Sequence, residues 1–538
     1  MKKIENLFVG IGLVAIVAGL GALFMTGQGG SDNSSGYRFP ATKYGAFLAA
    51  QHAVYVNDFD SASKFADVLS GVDYLMVQNT KILSEFLGGN LPQDAKLLKN
   101  EKSTSAQIIY DAYLITQNDW KGFHNRHKTD TSALMSPLRI WSAIANDWRT
   151  NTFKFIDTLP TNKSWKAFVR GQIYAELGDV EKAAQHFADV DVGFMNINDY
   201  LYLMSFYNHH GFFADVETLR NDFTSRPGGL FMKDYQEIPD WSVYSGYENQ
   251  LAFSLIQNVS HTQVMMYSDL SMLFLRFAQI TAPDFSAYND SVEYYLGQYY
   301  YNNTGDYQTH FNRISPQSPF YAFATLRIAE RNGDISELEQ VVRANPLFVP
   351  GINTLVAKYV QKGEKKSALR VLDRALSSED IDGNSRAFFY KSRANVHFAF
   401  GDYDSAQDDL HSASMILIAD MDILSLQAKI WAMQNREIEN AYDYAMTLVT
   451  HNPSDVVAWD TLACVVNVRE GTDAALEVLE RVGEIADTCS SLFQRLGDLY
   501  AQQNKGAQAI DAYMRAIELS DDGLVVVPEL ERKIRKLK

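Results

Sequence analysis

His124 and His127, in the stretch HNRH, stand three residues apart. That spacing puts two imidazoles on one face of a helix, where they could share a metal ion. No third ligand at metal spacing accompanies them, so the expectation is a pair of surface histidines. His209 and His210, in NHHG, are adjacent and aim their rings in different directions. Cys464 falls inside a predicted helix and Cys489 at the start of the next unit. That separation exceeds the ~7 Å between Cα atoms that a disulfide tolerates. With two cysteines in the whole chain, neither a multi-cysteine zinc site nor a disulfide framework can form. HExxH, GxSxG, phosphate-binding glycine loops and dinucleotide fingerprints are all missing. The sequons at Asn162, Asn258, Asn289 and Asn302 matter only in a host that glycosylates. The expectation is a non-catalytic chain with no cofactor and no metal, and the question passes to the elements and what they present for binding.

The chain has 538 residues, more than one compact core accommodates, so several domains or an elongated repeat array is expected. Its net charge of −17, with no long basic run, argues against nucleic acid as a ligand. Residues 7–25, LFVGIGLVAIVAGLGALFM, are uncharged and apolar. As a helix at about 1.5 Å per residue they would span about 28 Å, close to the ~30 Å hydrocarbon core of a bilayer. Lys2 and Lys3 precede this run and Arg38 is the next basic residue after it, a bias that keeps the N-terminus cytoplasmic and exports the rest. Residues 1–26 therefore read as an uncleaved single-pass anchor. The alternative is a cleaved signal peptide and secretion, against which stand the length of the run and the lack of an Ala-x-Ala-like site. Residues 27–42 are rich in Gly, Ser and Asn and read as a flexible linker.

From residue 43 onward the pattern is helical, with short polar breaks. Ala441, Ala475 and Ala509 recur every 34 residues. Trp459 and Phe493, Leu462 and Leu496, and Ala463 and Gly497 match in the same register. A glycine within a helix costs roughly 1 kcal/mol relative to alanine, so Gly497 must serve a close crossing, with Ala509 opposite and Tyr500 and Tyr513 beside it. Ala183, Ala368 and Ala406 follow turn glycines at Gly178, Gly363 and Gly401, and Ala62 follows Asn57. The pattern resembles the tetratricopeptide repeat, which implies an all-α, right-handed helical-repeat solenoid; the apolar run at 7–25 places it behind an N-terminal transmembrane helix. Residues 43–190 and 346–523 read as repeats, 191–345 as degenerate aromatic-rich repeats, and 524–538 as a basic capping tail.

In a tetratricopeptide superhelix, positions 2, 5, 9 and 12 of each first helix line the concave face. By that resemblance the partner groove takes Phe388, Lys391, Asn395 and Phe398 from one repeat and Ile423, Leu426, Ile430 and Met433 from the next. Val457, Asp460, Cys464 and Asn467 follow, then Ser491, Gln494, Asp498 and Ala501. Lys391 with Asn395 resembles half of a carboxylate clamp, whose remainder is missing at Gln427, Val457 and Thr461. The set Ile423, Leu426, Ile430 and Met433 would form an exposed apolar patch; with a slipped register the same four would be core. Lys429 stands where Gly497 and Ala463 stand in later repeats, and so disturbs that unit.

The succession YGAFLAAQHAVYVNDFDSASKFADVLSGVD, LSMLFLRFAQITAPDFSAYNDSVEYYLGQYY, NRISPQSPFYAFATLRIAERNGD and FYKSRANVHFAFGDYDSAQDDLHSA resembles exported bacterial tetratricopeptide proteins of alphaproteobacterial type. That group includes membrane-attached adaptors that present substrates to a carboxyl-terminal processing protease. The resemblance implies an inner-membrane scaffold with its body in the periplasm, binding protein partners such as a periplasmic protease or an envelope assembly complex. This chain lacks the lipobox cysteine of the lipoprotein members. The alternative function is a polysaccharide- or peptidoglycan-associated assembly factor, using the aromatics of residues 190–330 as a sugar platform.

Overall fold

The computed structural model describes residues 42–55, 58–69, 75–233, 235–262, 269–282, 289–303, 305–480, 482 and 489–538. The expected anchor at 7–25 and Asn57 lie outside the described residues. Among the described residues no helix is long and apolar enough to cross a membrane, and every regular element is an α- or 3₁₀-helix. The fold is an all-α, tetratricopeptide-like helical-repeat solenoid, in two compact units. The first runs to Leu219 and resumes over Glu237–Ala324; the second comprises Arg220–Gln236 and Thr325–Lys538.

Gly-Asp dipeptides mark many of the turns inside helix pairs. Gly178, Gly333 and Gly401 have φ of +76°, +70° and +75°, the left-handed region that ends a helix without a Cβ penalty. The aspartate that follows opens the next helix: Asp179 accepts from the Lys182 amide at 3.3 Å and Asp334 from the Ser336 amide at 2.8 Å. Such a cap contributes about 1 kcal/mol.

In the first unit the array does not run simply from pair to pair. The helix Tyr247–His261 packs on Ser136–Ala145, and Asp269–Thr281 packs on Thr104–Thr116. Trp141 Nε1 donates to Ser254 Oγ at 2.8 Å, and Gln257 Nε2 donates to the buried Asp199 at 2.7 Å. The aromatics of this stretch, a surface only in the alternative function, fill this unit's core: Tyr200, Tyr202, Phe206, Tyr299 and Tyr300 are all buried. They give no sugar platform, because each ring packs against its neighbours, as Tyr202 does against Trp241 and Phe253.

In the second unit we label nine helices: α1 (Gly383–Ala399), α2 (Tyr403–Ser414), α3 (Met421–Met433), α4 (Ile438–His451), α5 (Val456–Arg469), α6 (Thr472–Glu480), α7 (Ser490–Gln502), α8 (Gly506–Glu518) and α9 (Val527–Leu537). The odd-numbered α1 to α7 are first helices, each paired with the helix that follows. A Cβ built on Gly497 would lie 2.5 Å from the Tyr513 ring, so only glycine lets α7 and α8 cross at this distance. Two crossings in the first unit have the same form, Gly171 against Phe187 and Gly297 against Phe311. Ala183, Ala368, Ala406, Ala441, Ala475 and Ala509 are fully buried. Helix α9 buries Leu530 against Tyr513 and Ala516 and turns its charged side outward. The chain end also returns to the helix Val349–Gln361, where Lys358 Nζ meets Asp521 at 2.6 Å.

Candidate functional site

The surface to be built is the one that the first helices α1, α3, α5 and α7 present. Ile423, Leu426 and Ile430 do not belong to it. Their exposures are 7, 5 and 0%, and they pack with Ala387, Ala394, Ala406 and Leu410 in the seam between α1–α2 and α3. Asp460 is also withdrawn from solvent, at 0% exposure. The expectation of an open groove lined by these four residues is therefore corrected. Successive first helices lie close enough to spend those positions on one another.

Lys429 shows how close. The side chain that replaces the expected small residue crosses from α3 to α5, and its Nζ donates to Asp460 Oδ2 at 2.6 Å. Asp460 also accepts from Ser491 Oγ at 3.0 Å and from Arg495 Nε at 2.5 Å, both on α7. One buried carboxylate thus ties three consecutive first helices. Burial alone would push the Asp460 carboxyl up, but Arg495 and Lys429 outweigh it and leave the group well below the usual carboxylate range. Cys464, one turn along α5, is buried and its thiol is pushed up by burial. Both cysteines are free and buried, so neither is placed for reaction.

The other groove candidates fare differently. Lys391 donates to Asp420 at 3.2 Å and to Asp422 at 2.7 Å. Burial would lower its pKa, and the two aspartates reverse that. The half-clamp is thus already filled by the chain's own carboxylates. Asn395 is exposed, and its side chain donates only to the Lys391 carbonyl, one turn back, at 3.2 Å. Phe398 leans on Tyr403 with ring centroids 5.6 Å apart, and Phe388 lies against Phe389 at 5.7 Å; both are half-buried. Asn467 accepts from Thr472, and Asp498 accepts from Tyr513 and Lys533, while Gln494 is half-buried. Met433 alone of the apolar set is open to water, at 48%.

The structure adds residues that the repeat register does not reach. The connection between α2 and α3 exposes Met415 at 72% and Ile418 at 90%, with Ile416 beside them. The sequence signal was the apolar run MILI directly after a polar helix. An opening of about 280 Å³ lies among α4, α5 and α6, walled by Tyr442, Met446, Trp459 and Val478.

Residues 490–522, which span α7 and α8, match the tetratricopeptide repeat family. No curated protein matches the chain. Among solved structures, a tetratricopeptide repeat protein from Parabacteroides merdae shares 11% identity over 54% of this chain and 99% of its own, with a TM-score of 0.32. The APC/C hetero-tetramer Cut9–Hcn1 aligns over 93% of this chain and 96% of its own at 13% identity and a TM-score of 0.34. Yeast Tom70 aligns over 92% and 96% at 11% identity and a TM-score of 0.29. The fold assignment rests on the helix pairs themselves and on the matched repeat.

His124 and His127 are buried, at 7 and 8% exposure, and not on the surface as expected. Their short helix, Trp120–His127, packs inward between its neighbours, and no group of His, Cys, Asp and Glu among the described residues could hold a metal ion. His127 Nε2 bonds Asp111 at 2.9 Å. Burial pushes this imidazole down, and the hydrogen bonds to Asp111 and Asp130 bring it up to about 8.

Proposed function

We propose that this chain is a non-catalytic protein–protein interaction scaffold of the bacterial cell envelope. In this reading residues 7–25 anchor it in the inner membrane, and the linker at 27–42 carries a right-handed repeat body in the periplasm. Its partners are proteins, with a periplasmic protease or an envelope assembly complex as the expected class. The observation that carries the reading is how the repeats of the second unit spend their side chains. Positions 5 and 9 of α3 and α5 are consumed by contacts within the array, yet Asn395, Met433, Met415 and Ile418 remain in water with no role in the core. Met415, Ile416 and Ile418 stand together in one connection, and a contiguous exposed apolar patch is a surface for a protein partner.

The test is crosslinking in intact membranes with the full chain, followed by recovery of the partner. A stoichiometric protein recovered with the wild type and lost from a Met433→Glu/Ile418→Glu variant supports the scaffold. Retention of the chain on insoluble cell wall, with no protein partner, would replace it with the wall-associated alternative.

A further inference from the structure

In the first unit a cavity of about 160 Å³ opens among the helices Trp120–His127, Ser136–Ala145 and Arg149–Thr158. That is close to the ~150 Å³ of an engineered apolar cavity that takes up benzene. Trp148 and Phe155 supply aromatic wall, and His124, Lys128, Arg139 and Thr152 supply polar groups; none of the residues that line it is a carboxylate. The His124 ring lies 5.0 Å from the Trp148 ring. The Arg139 guanidinium lies 3.8 Å above Phe155 and donates to the Asp130 carbonyl.

His124 carries the decisive detail. Its Nδ1 lies 3.3 Å from Ser142 Oγ, and that hydroxyl already donates its proton to the Arg139 carbonyl at 3.0 Å. The tautomer in which Nδ1 donates to Ser142 Oγ, with that hydroxyl turned to the carbonyl, carries its bare nitrogen at Nε2. That Nε2 is buried and has no hydrogen-bond partner. Burial, followed by the charges of Lys128, Arg139 and His127, holds the ring below its ordinary proton affinity. The carboxylates of this network, Asp111 and Asp130, both face His127 and are engaged there. The cavity therefore has cationic and aromatic walls, His124 among its lining, and a volume suited to one small ring.

We propose that this cavity binds a small organic anion, a carboxylate carried on a flat apolar body. Entry of the carboxylate supplies the missing counter-charge and lets Nε2 take up a proton from solvent and donate it to a carboxylate oxygen. Binding is then coupled to the uptake of one proton per ligand.

The test is titration calorimetry of the full chain with benzoate, run in buffers of different ionisation enthalpy so that proton uptake is counted. Benzyl alcohol and inorganic phosphate serve as comparisons. Saturable benzoate binding with uptake of about one proton at neutral pH is expected, with affinity falling about tenfold per pH unit once His124 is neutral in the free protein. Lys128→Glu, on an exposed side chain, should weaken benzoate at least several-fold without unfolding the protein. His124→Gln should abolish the proton uptake. The proposal is overturned if benzoate shows no saturable binding, if benzyl alcohol binds equally well, or if Lys128→Glu binds benzoate like the wild type. Benzoate binding without proton uptake, or a preference for phosphate over benzoate, overturns it as well.

Discussion

Asp460→Asn keeps the shape of the side chain and removes its charge, which makes it a sharp probe of the tie across α3, α5 and α7. In the wild type the carboxylate has no solvent exposure and accepts from Lys429, Arg495 and Ser491. The Lys429 and Arg495 side chains are only 9 and 17% exposed, so neither cation reaches bulk water easily. Breaking a buried pair by removing one partner costs about 3–5 kcal/mol, and here two cations lose the same anion. Asp460→Asn should therefore destabilise the C-terminal repeats by the upper part of that range. Lys429→Met leaves Asp460 with Arg495 and Ser491 and should cost about 1.5–3 kcal/mol, the worth of hydrogen bonds to a charged group. The double variant Lys429→Met/Asp460→Asn should cost at least about 1 kcal/mol less than the two singles added, since residues in one network are not additive. Urea unfolding followed by circular dichroism reads all four proteins. The loss should appear as an early transition confined to part of the helical signal, because each repeat leans on its neighbours. A cost below about 1 kcal/mol for Asp460→Asn, or strict additivity, would refute the tie.

Further outcomes follow from other parts of the chain. Gly497→Ala should cost about 1–3 kcal/mol by overpacking against Tyr513, and Gly171→Ala should do the same against Phe187; an unchanged melting curve for both would show that the crossings relax. His127, brought up to about 8 in the fold from about 6.5 in the unfolded chain, contributes stability that is full below pH ~6.5 and fades as pH rises through 8. The size is about 2 kcal/mol, so wild-type denaturation midpoints should fall between pH 6.5 and 8.5, and His127→Gln should flatten that slope. Ile430→Glu should unfold its repeat, whereas Met433→Glu should leave the fold intact; equal effects would mean that the two exposures are misassigned. A reporter fused after Lys538 should be active only outside the cytoplasm, and activity only inside would reverse the topology read from residues 2–25.

The recurrence of Ala441, Ala475 and Ala509 made the paired helices legible, because a close crossing tolerates little else and must recur once per repeat. What the period could not convey was how tightly successive first helices press together. Positions 423, 426, 430 and 460 carry the numbering of a groove, yet neighbouring first helices cover them. Lys429 read as a defect in its repeat. Its partner lay 31 residues on and Arg495 a further 35, near the repeat length, so opposite charges at that spacing were the overlooked signal. The aromatic segment was opaque for another reason. Its helices pack on partners more than a hundred residues earlier, such as Ser254 on Trp141, and local periodicity carries no trace of that. The histidines of HNRH failed similarly, since a short polar helix gave no sign that Asp111, from the preceding helix, would receive His127.

The measurement that bears most directly on the scaffold reading is site-specific photocrosslinking of the full chain in its native membrane. The photoreactive residue is placed in turn at Ile418, at Met433, and at Glu439, an exposed site on the neighbouring α4. The account predicts one discrete protein adduct from Ile418 or Met433, none from Glu439, and loss of the adduct when Met433→Glu is combined with the Ile418 probe. Equal, diffuse labelling from all three positions would contradict it.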